Sequence, residues 1–234
     1  MFRFEPLSEK LNICVSDEHS FGTDAFLLSA FANPKKSDVV YDLGTGCGII
    51  PILWFRSASP KKVFAVDIQK QAIQQLEITV KENGLSDIIF PICADLKELK
   101  TIEQADLVVC NPPYKAAGAG IVSELSAEQI ARHETLCDIY DVTERASKLL
   151  KFGGRLCLCQ RPERLCDVID AMKKSGIEPK RLRFVQKDSN SAPWLFLIEG
   201  KKGSKPFLTV DKPFLINEGG KPSEETKKLY RPEG

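Results

Sequence analysis

Apolar positions along this chain fall into two alternating patterns. Short runs bounded by polar or glycine-containing turns occur at 38–43, 63–67, 88–93, 106–110 and 155–160, and they read as buried strands. Between and beyond them, 25–32 and 49–57 read as helices that are apolar almost throughout, and 69–83, 138–150 and 162–174 as further helices. A short strand is expected at 11–15 and a further helix at 126–132, with a small-residue loop at 115–122. Thr23 or Asp24 is the expected N-cap of the first helix, and Asn83-Gly84 stops the third. Strands alternating with helices at this spacing predict βαβ units, hence an α/β fold with helices on both faces of a mostly parallel sheet. The runs 181–186 and 194–199, joined through Asp188-Ser189-Asn190-Ser191, add an antiparallel terminal pair, for seven strands in all. One domain is expected over 1–215, of which 1–37 is an N-terminal extension and helix. The alternation of Pro, Gly and charge in 216–234 reads as a flexible C-terminal tail.

Composition changes this picture little. A chain of 234 residues, 43% hydrophobic and 28% charged, suits one sizeable core. It has no run of about 18 apolar residues and no leader-like start, so a cytoplasmic, non-membrane protein is expected. The eight cysteines are scattered (Cys14, Cys47, Cys93, Cys110, Cys137, Cys157, Cys159, Cys166) without a C-x2-C pair, which favours free buried thiols over a metal site. The net charge of +1 hides an uneven distribution: between 173 and 205 there are nine basic residues and three acidic ones. That stretch, Arg181 and Arg183 included, reads either as a solvated face or as a footprint for a phosphate backbone.

The chemistry concentrates at strand ends. Asp42-Leu43-Gly44-Thr45-Gly46-Cys47-Gly48 runs from strand through turn to helix. Glycines let the backbone bend and let a ligand lie against it. A dinucleotide fingerprint would need glycine at 49, where Ile49 stands, and the acid ahead of the turn suits a cofactor with an amino-acid end better than a pyrophosphate. Asp67, followed by Ile68, ends the second strand 19 residues after Gly48, the place from which a carboxylate can accept from ribose hydroxyls. Asp95, just past the third strand, can accept from an adenine amino group. Asn111-Pro112-Pro113-Tyr114 follows the fourth. Two prolines make this corner stiff and free of N–H donors, and Asn111 before them is pushed toward extended backbone. Carbonyl oxygens, one carboxamide and one ring suit a planar group bearing an NH2.

Together these motifs resemble the class I S-adenosylmethionine-dependent methyltransferases that modify amino groups. The resemblance implies a Rossmann-like fold, S-adenosyl-L-methionine as cofactor, and no metal. Three flanking segments, Phe21-Gly22-Thr23-Asp24-Ala25, Ala131-Arg132-His133-Glu134 and Glu199-Gly200-Lys201-Lys202-Gly203, are similar to the tRNA adenine-N6 methyltransferases that act at position 37 of a valine tRNA. By that resemblance the cofactor is held by Asp24, Asp42, Gly44, Gly46, Gly48, Asp67, Ile68, Asp95 and Asn111. Asn111, Pro112, Pro113 and Tyr114 hold the acceptor, an adenine of a tRNA anticodon loop, and no obligate protein partner is implied. A protein glutamine amide or a guanine amino group of ribosomal RNA would also fit the corner. A non-catalytic RNA-assembly factor and a nucleotide-dependent oxidoreductase fit the residues less well.

Overall fold

The computed structural model describes residues 2–16, 21–57, 59–112 and 137–230. The loop and helix expected within 115–136 lie outside the described residues, as do Pro113, Tyr114 and His133.

The central strands are β3 (Val39–Leu43), β4 (Lys62–Asp67), β5 (Ile89–Cys93) and β6 (Ala105–Cys110), with β7 (Leu150–Gln160), β8 (Ile177–Gln186) and β9 (Pro193–Lys202) beyond them. The sheet order is β8-β9-β7-β6-β3-β4-β5, parallel from β7 to β5, with β9 antiparallel to both β7 and β8. This is the expected mostly parallel sheet with its antiparallel pair. It contains nine strands, because β10 (Thr209–Val210) and β11 (Phe214–Leu215) add two-residue pieces along β8. Val40 belongs to one core and Val39, Tyr41 and Leu43 to the other, as strict side-chain alternation requires. One core is covered by α1 (Thr23–Ala32), α2 (Ile49–Trp54) and α3 (Lys70–Glu82), the other by α4 (Ile139–Leu149) and α5 (Leu165–Lys174). A hairpin of β1 (Arg3–Pro6) and β2 (Asn12–Val15) is pinned to α3 where Cys14 N donates to Thr79 Oγ1 at 2.9 Å. No described helix is long and apolar enough to cross a membrane.

Two expectations need correction. The N-cap of α1 is Gly22, and neither Thr23 nor Asp24 caps the helix with its side chain. The expected flexible tail is instead a small hairpin, β12 (Asn217–Glu218) with β13 (Lys221–Pro222), followed by helix α6 (Glu224–Tyr230). Its polar composition conceals specific anchors. The Tyr230 ring lies 4.9 Å from Phe26, its hydroxyl donates to Thr23 Oγ1 at 2.9 Å, and Arg56 donates to the carbonyls of Leu229 and Tyr230. Thus α6 closes over α1.

Candidate active site

Chain order reverses between β3 and β6, which lie side by side with Leu43 opposite Cys110. The connections leaving these two strand ends diverge, and a crevice opens between them, the usual ligand position in an open α/β sheet. The glycine turn leaves one end and Asn111-Pro112 the other. A cavity of about 510 Å³ sits there, lined among others by Gly44, Gly46, Asp67, Ile68, Asp95, Asn111 and Pro112. Asn111-Pro112 and the turn thus face one space.

The turn is shaped by its glycines. Gly44 and Gly46 have φ of 72° and 56°, a left-handed conformation that favours glycine, and a Cβ on either would point into open space. Gly44 N and Thr45 N both donate to Val66 O, tying the turn to β4. Gly48 plays another part. Its φ is 86°, it does not line the cavity, and a Cβ there would meet Leu76 Cδ1 of α3 at 2.3 Å, so glycine here also makes room for Leu76.

The acids differ in environment. Asp67 Oδ2 accepts from Gly46 N at 2.8 Å and Oδ1 from Gln69 N at 2.9 Å, which holds the carboxylate at the cavity wall. Asp95 Oδ1 accepts from Lys97 N. Asp42 is fully buried behind the turn; Thr45 Oγ1 donates to its Oδ2 at 2.6 Å, while Oδ1 has no partner among the described residues. Burial pushes its carboxyl up to about 7, the Thr45 hydroxyl pulls it down, and the nearby Asp67 charge pushes it up again.

Asn111 is held from two sides. Its Nδ2 donates to Asp24 Oδ2 at 3.1 Å, and the Cys159 thiol donates to its Oδ1 at 3.1 Å. Asp24 itself does not line the cavity. The cavity thiols of Cys110 and Cys137 are pushed well above the usual thiol range by burial, Cys137 to about 12, so they form a neutral wall. Reading the sequence missed Gln160 and Arg164 of this lining. Gln160 is a polar residue ending the apolar run 156–159, the one signal that could have marked it; Arg164 reaches the cavity from the 3-10 turn Pro162–Arg164 and pairs with Asp167 at 2.7 Å.

Two arginines of the basic stretch make contacts within the fold. The Arg181 guanidinium lies 4.0 Å over the Phe31 ring and donates to Phe31 O and Glu199. Arg183 donates to Lys212 O and Glu225 and covers Phe214. Both arginines are spent in joining α1, α6 and the sheet edge.

Sheet order, glycine turn and acidic strand ends define the class I, Rossmann-like methyltransferase fold. The family described as "Methyltransferase small domain" matches residues 11–163, well over half of the chain, and the chain belongs to that family. It is 27% identical over 213 residues to the tRNA1(Val) (adenine(37)-N6)-methyltransferase of Tolumonas auensis, covering 91% of this chain and 85% of that protein. It is 30% identical over 174 residues to the enzyme of that name from Glaesserella parasuis, covering 68% and 73% respectively. Among solved structures, a predicted O-methyltransferase from Agrobacterium tumefaciens superimposes with a TM-score of 0.70 at 19% identity, covering 89% of this chain and 95% of that one. The M. jannaschii tRNA m1G37 methyltransferase gives 0.62 at 20% identity, covering 87% and 57%.

Proposed function

We propose that this protein transfers the methyl group of S-adenosylmethionine to the N6 amino group of an adenine in a tRNA anticodon loop, with a valine tRNA as first candidate. The observation that carries the reading is the pairing of Leu43 with Cys110, the strand ends from which the glycine turn and Asn111-Pro112 leave, with Gly44, Gly46, Asn111 and Pro112 lining one cavity. The substrate follows from the names of the curated relatives.

The residues present fit the cofactor. Gly44 and Gly46 leave open space on the cavity side of the turn, which suits the approach of an amino-acid end against the backbone, with Asp42 buried behind it. Asp67 offers ribose hydroxyls its remaining lone pairs, Asp95 offers an acceptor to the adenine amino group, and Ile68 lends an apolar wall. When bound, the cofactor supplies an electrophilic methyl on a sulfonium sulfur.

The chain itself supplies position. An adenine amino nitrogen is a weak nucleophile because its lone pair is delocalised into the ring. Asn111 Oδ1 and the Pro112 carbonyl accept its two N–H bonds, which turns the lone pair away from the ring plane. No base is required before transfer. Positioning of this kind is worth roughly 7–11 kcal/mol, and Tyr114 adds base stacking of about 1–3 kcal/mol. A loop adenine costs at most a few kcal/mol to unstack.

Labelled S-adenosylmethionine, incubated with the protein and valine tRNA transcript, tests this. Digestion should release N6-methyladenosine, and replacing the adenine at position 37 should abolish labelling. Label appearing in protein or in ribosomal RNA instead would overturn the substrate assignment.

A further inference from the structure

Asp24 stands at the second position of α1, where a carboxylate is favoured by the helix dipole and has backbone N–H groups within reach. It leaves α1 without a side-chain cap and takes Asn111 instead, Oδ2 to Nδ2 at 3.1 Å. An ionised carboxylate only accepts, so it admits the carboxamide in a single sense. The NH2 end must face Asp24, and the oxygen must lie on the other side. There the Cys159 thiol, fully buried on β7, donates to Oδ1 at 3.1 Å. A carbonyl oxygen has two lone pairs, so this contact is compatible with accepting a substrate N–H as well.

The residue before Thr23 adds an independent observation. Gly22 has φ −110° and ψ 177°, backbone that any residue adopts, so its glycine is not needed for conformation. A Cβ at Gly22 would stand 2.6 Å from Asp24 Oδ1. Glycine here makes room for the carboxylate in the pose that meets Asn111.

Resting on the function proposed above, we infer that Asp24 is a positioning residue for the amino acceptor. Paired with the space left by Gly22, it fixes the carboxamide of Asn111 in the one sense that turns its NH2 to Asp24 and its oxygen away from Asp24, rather than holding the cofactor. A flipped carboxamide would present a donor to a group that itself donates, and the acceptor nitrogen would be repelled. Cofactor affinity would be largely untouched, because Asp24 is not part of the cavity wall.

The test compares wild type with Asp24→Ala, Asp24→Asn and Gly22→Ala. It uses calorimetry for S-adenosylmethionine binding and turnover at saturating cofactor and tRNA. Asp24→Ala and Gly22→Ala should each lower turnover, the former by about 10²-fold, with cofactor dissociation constants within about threefold of wild type. Asp24→Asn, which still offers an oxygen but also a competing NH2, should fall between wild type and Asp24→Ala. Thermal melts identify any variant that fails to fold, and Gly22→Ala, whose backbone tolerates alanine, then decides. Cofactor binding weakened by the full factor, with turnover restored at saturation, would make Asp24 a cofactor ligand and overturn the inference. Unchanged turnover in both Asp24→Ala and Gly22→Ala would overturn it too. Absence of methyl transfer by wild type would refute the functional reading instead.

Discussion

The cavity between β3 and β6 and the outer edge formed by β8, β10, β11 and α6 both carry charged side chains on strands, and they use them in opposite ways. At the edge the two arginines of β8 face groups of the same chain: Arg181 lies over Phe31 and donates to Glu199, and Arg183 donates to Glu225 and lies over Phe214. Behind the glycine turn the fully buried Asp42 keeps one oxygen without a partner among the described residues, an arrangement that costs stability. Arginines that face rings and carboxylates build structure, whereas a buried carboxylate with an unpartnered oxygen loses stability once it ionises. The density of charge along the sequence does not distinguish the two.

Four changes would break or sharpen this contrast. Asn111→Ala should lower turnover by about 10²–10³-fold while calorimetry finds cofactor binding nearly intact; lost binding would move Asn111 from the acceptor to the cofactor. The next largest effect is on stability. Because Asp42 titrates near 7 in the fold against 3.8 ordinarily, its neutral form is favoured there. Its contribution is therefore complete below the ordinary value and is lost as pH rises through about 7. Denaturant melts should show Asp42→Asn gaining on wild type by roughly 2–3 kcal/mol between pH 5 and pH 8, and parallel pH profiles would refute the buried charge. Arg181→Ala should cost about 2 kcal/mol of stability through its lost stacking and hydrogen bonds. The salt dependence of tRNA binding should stay unchanged, and a slope reduced by about one would restore Arg181 as a phosphate contact. Smallest is Tyr230→Phe, which removes one exposed hydrogen bond to Thr23 and should lower stability by about 0.5–1 kcal/mol, read as a small fall in melting temperature.

Most of the sheet and the cavity's composition were legible in the sequence, for a physical reason. Parallel strands buried on both faces are continuous apolar runs, and glycines and acids at their ends break those runs visibly, as Gly44, Asp67 and Asn111 do. What was not legible depends on where a side chain points across the fold. Gly48 belongs to the same motif as Gly44, yet Leu76, far along α3, gives it a packing role. Thr23 and Asp24 look like caps locally and are drawn outward by Tyr230 and Asn111. Residues 217–230 have the composition of a loose tail, but Tyr230 on α1, Arg56 on Leu229, Arg183 on Glu225 and the Ser223 and Thr226 hydroxyls on Leu215 and Ile216 hold them in place. Arg181 and Arg183 counted toward a basic surface until the rings and carboxylates opposite them were known.

The bond between Tyr230 and Thr23 spans 207 residues. On the ribosome α1 emerges well ahead of α6 and must wait for the 207 residues that separate Thr23 from Tyr230 before α6 can latch onto it. A product that stops short of α6, from a broken message or a protease nick, would keep its sheet and glycine turn yet carry α1 unfastened. In such a fragment the carboxylate that steadies Asn111 would ride on a loose support.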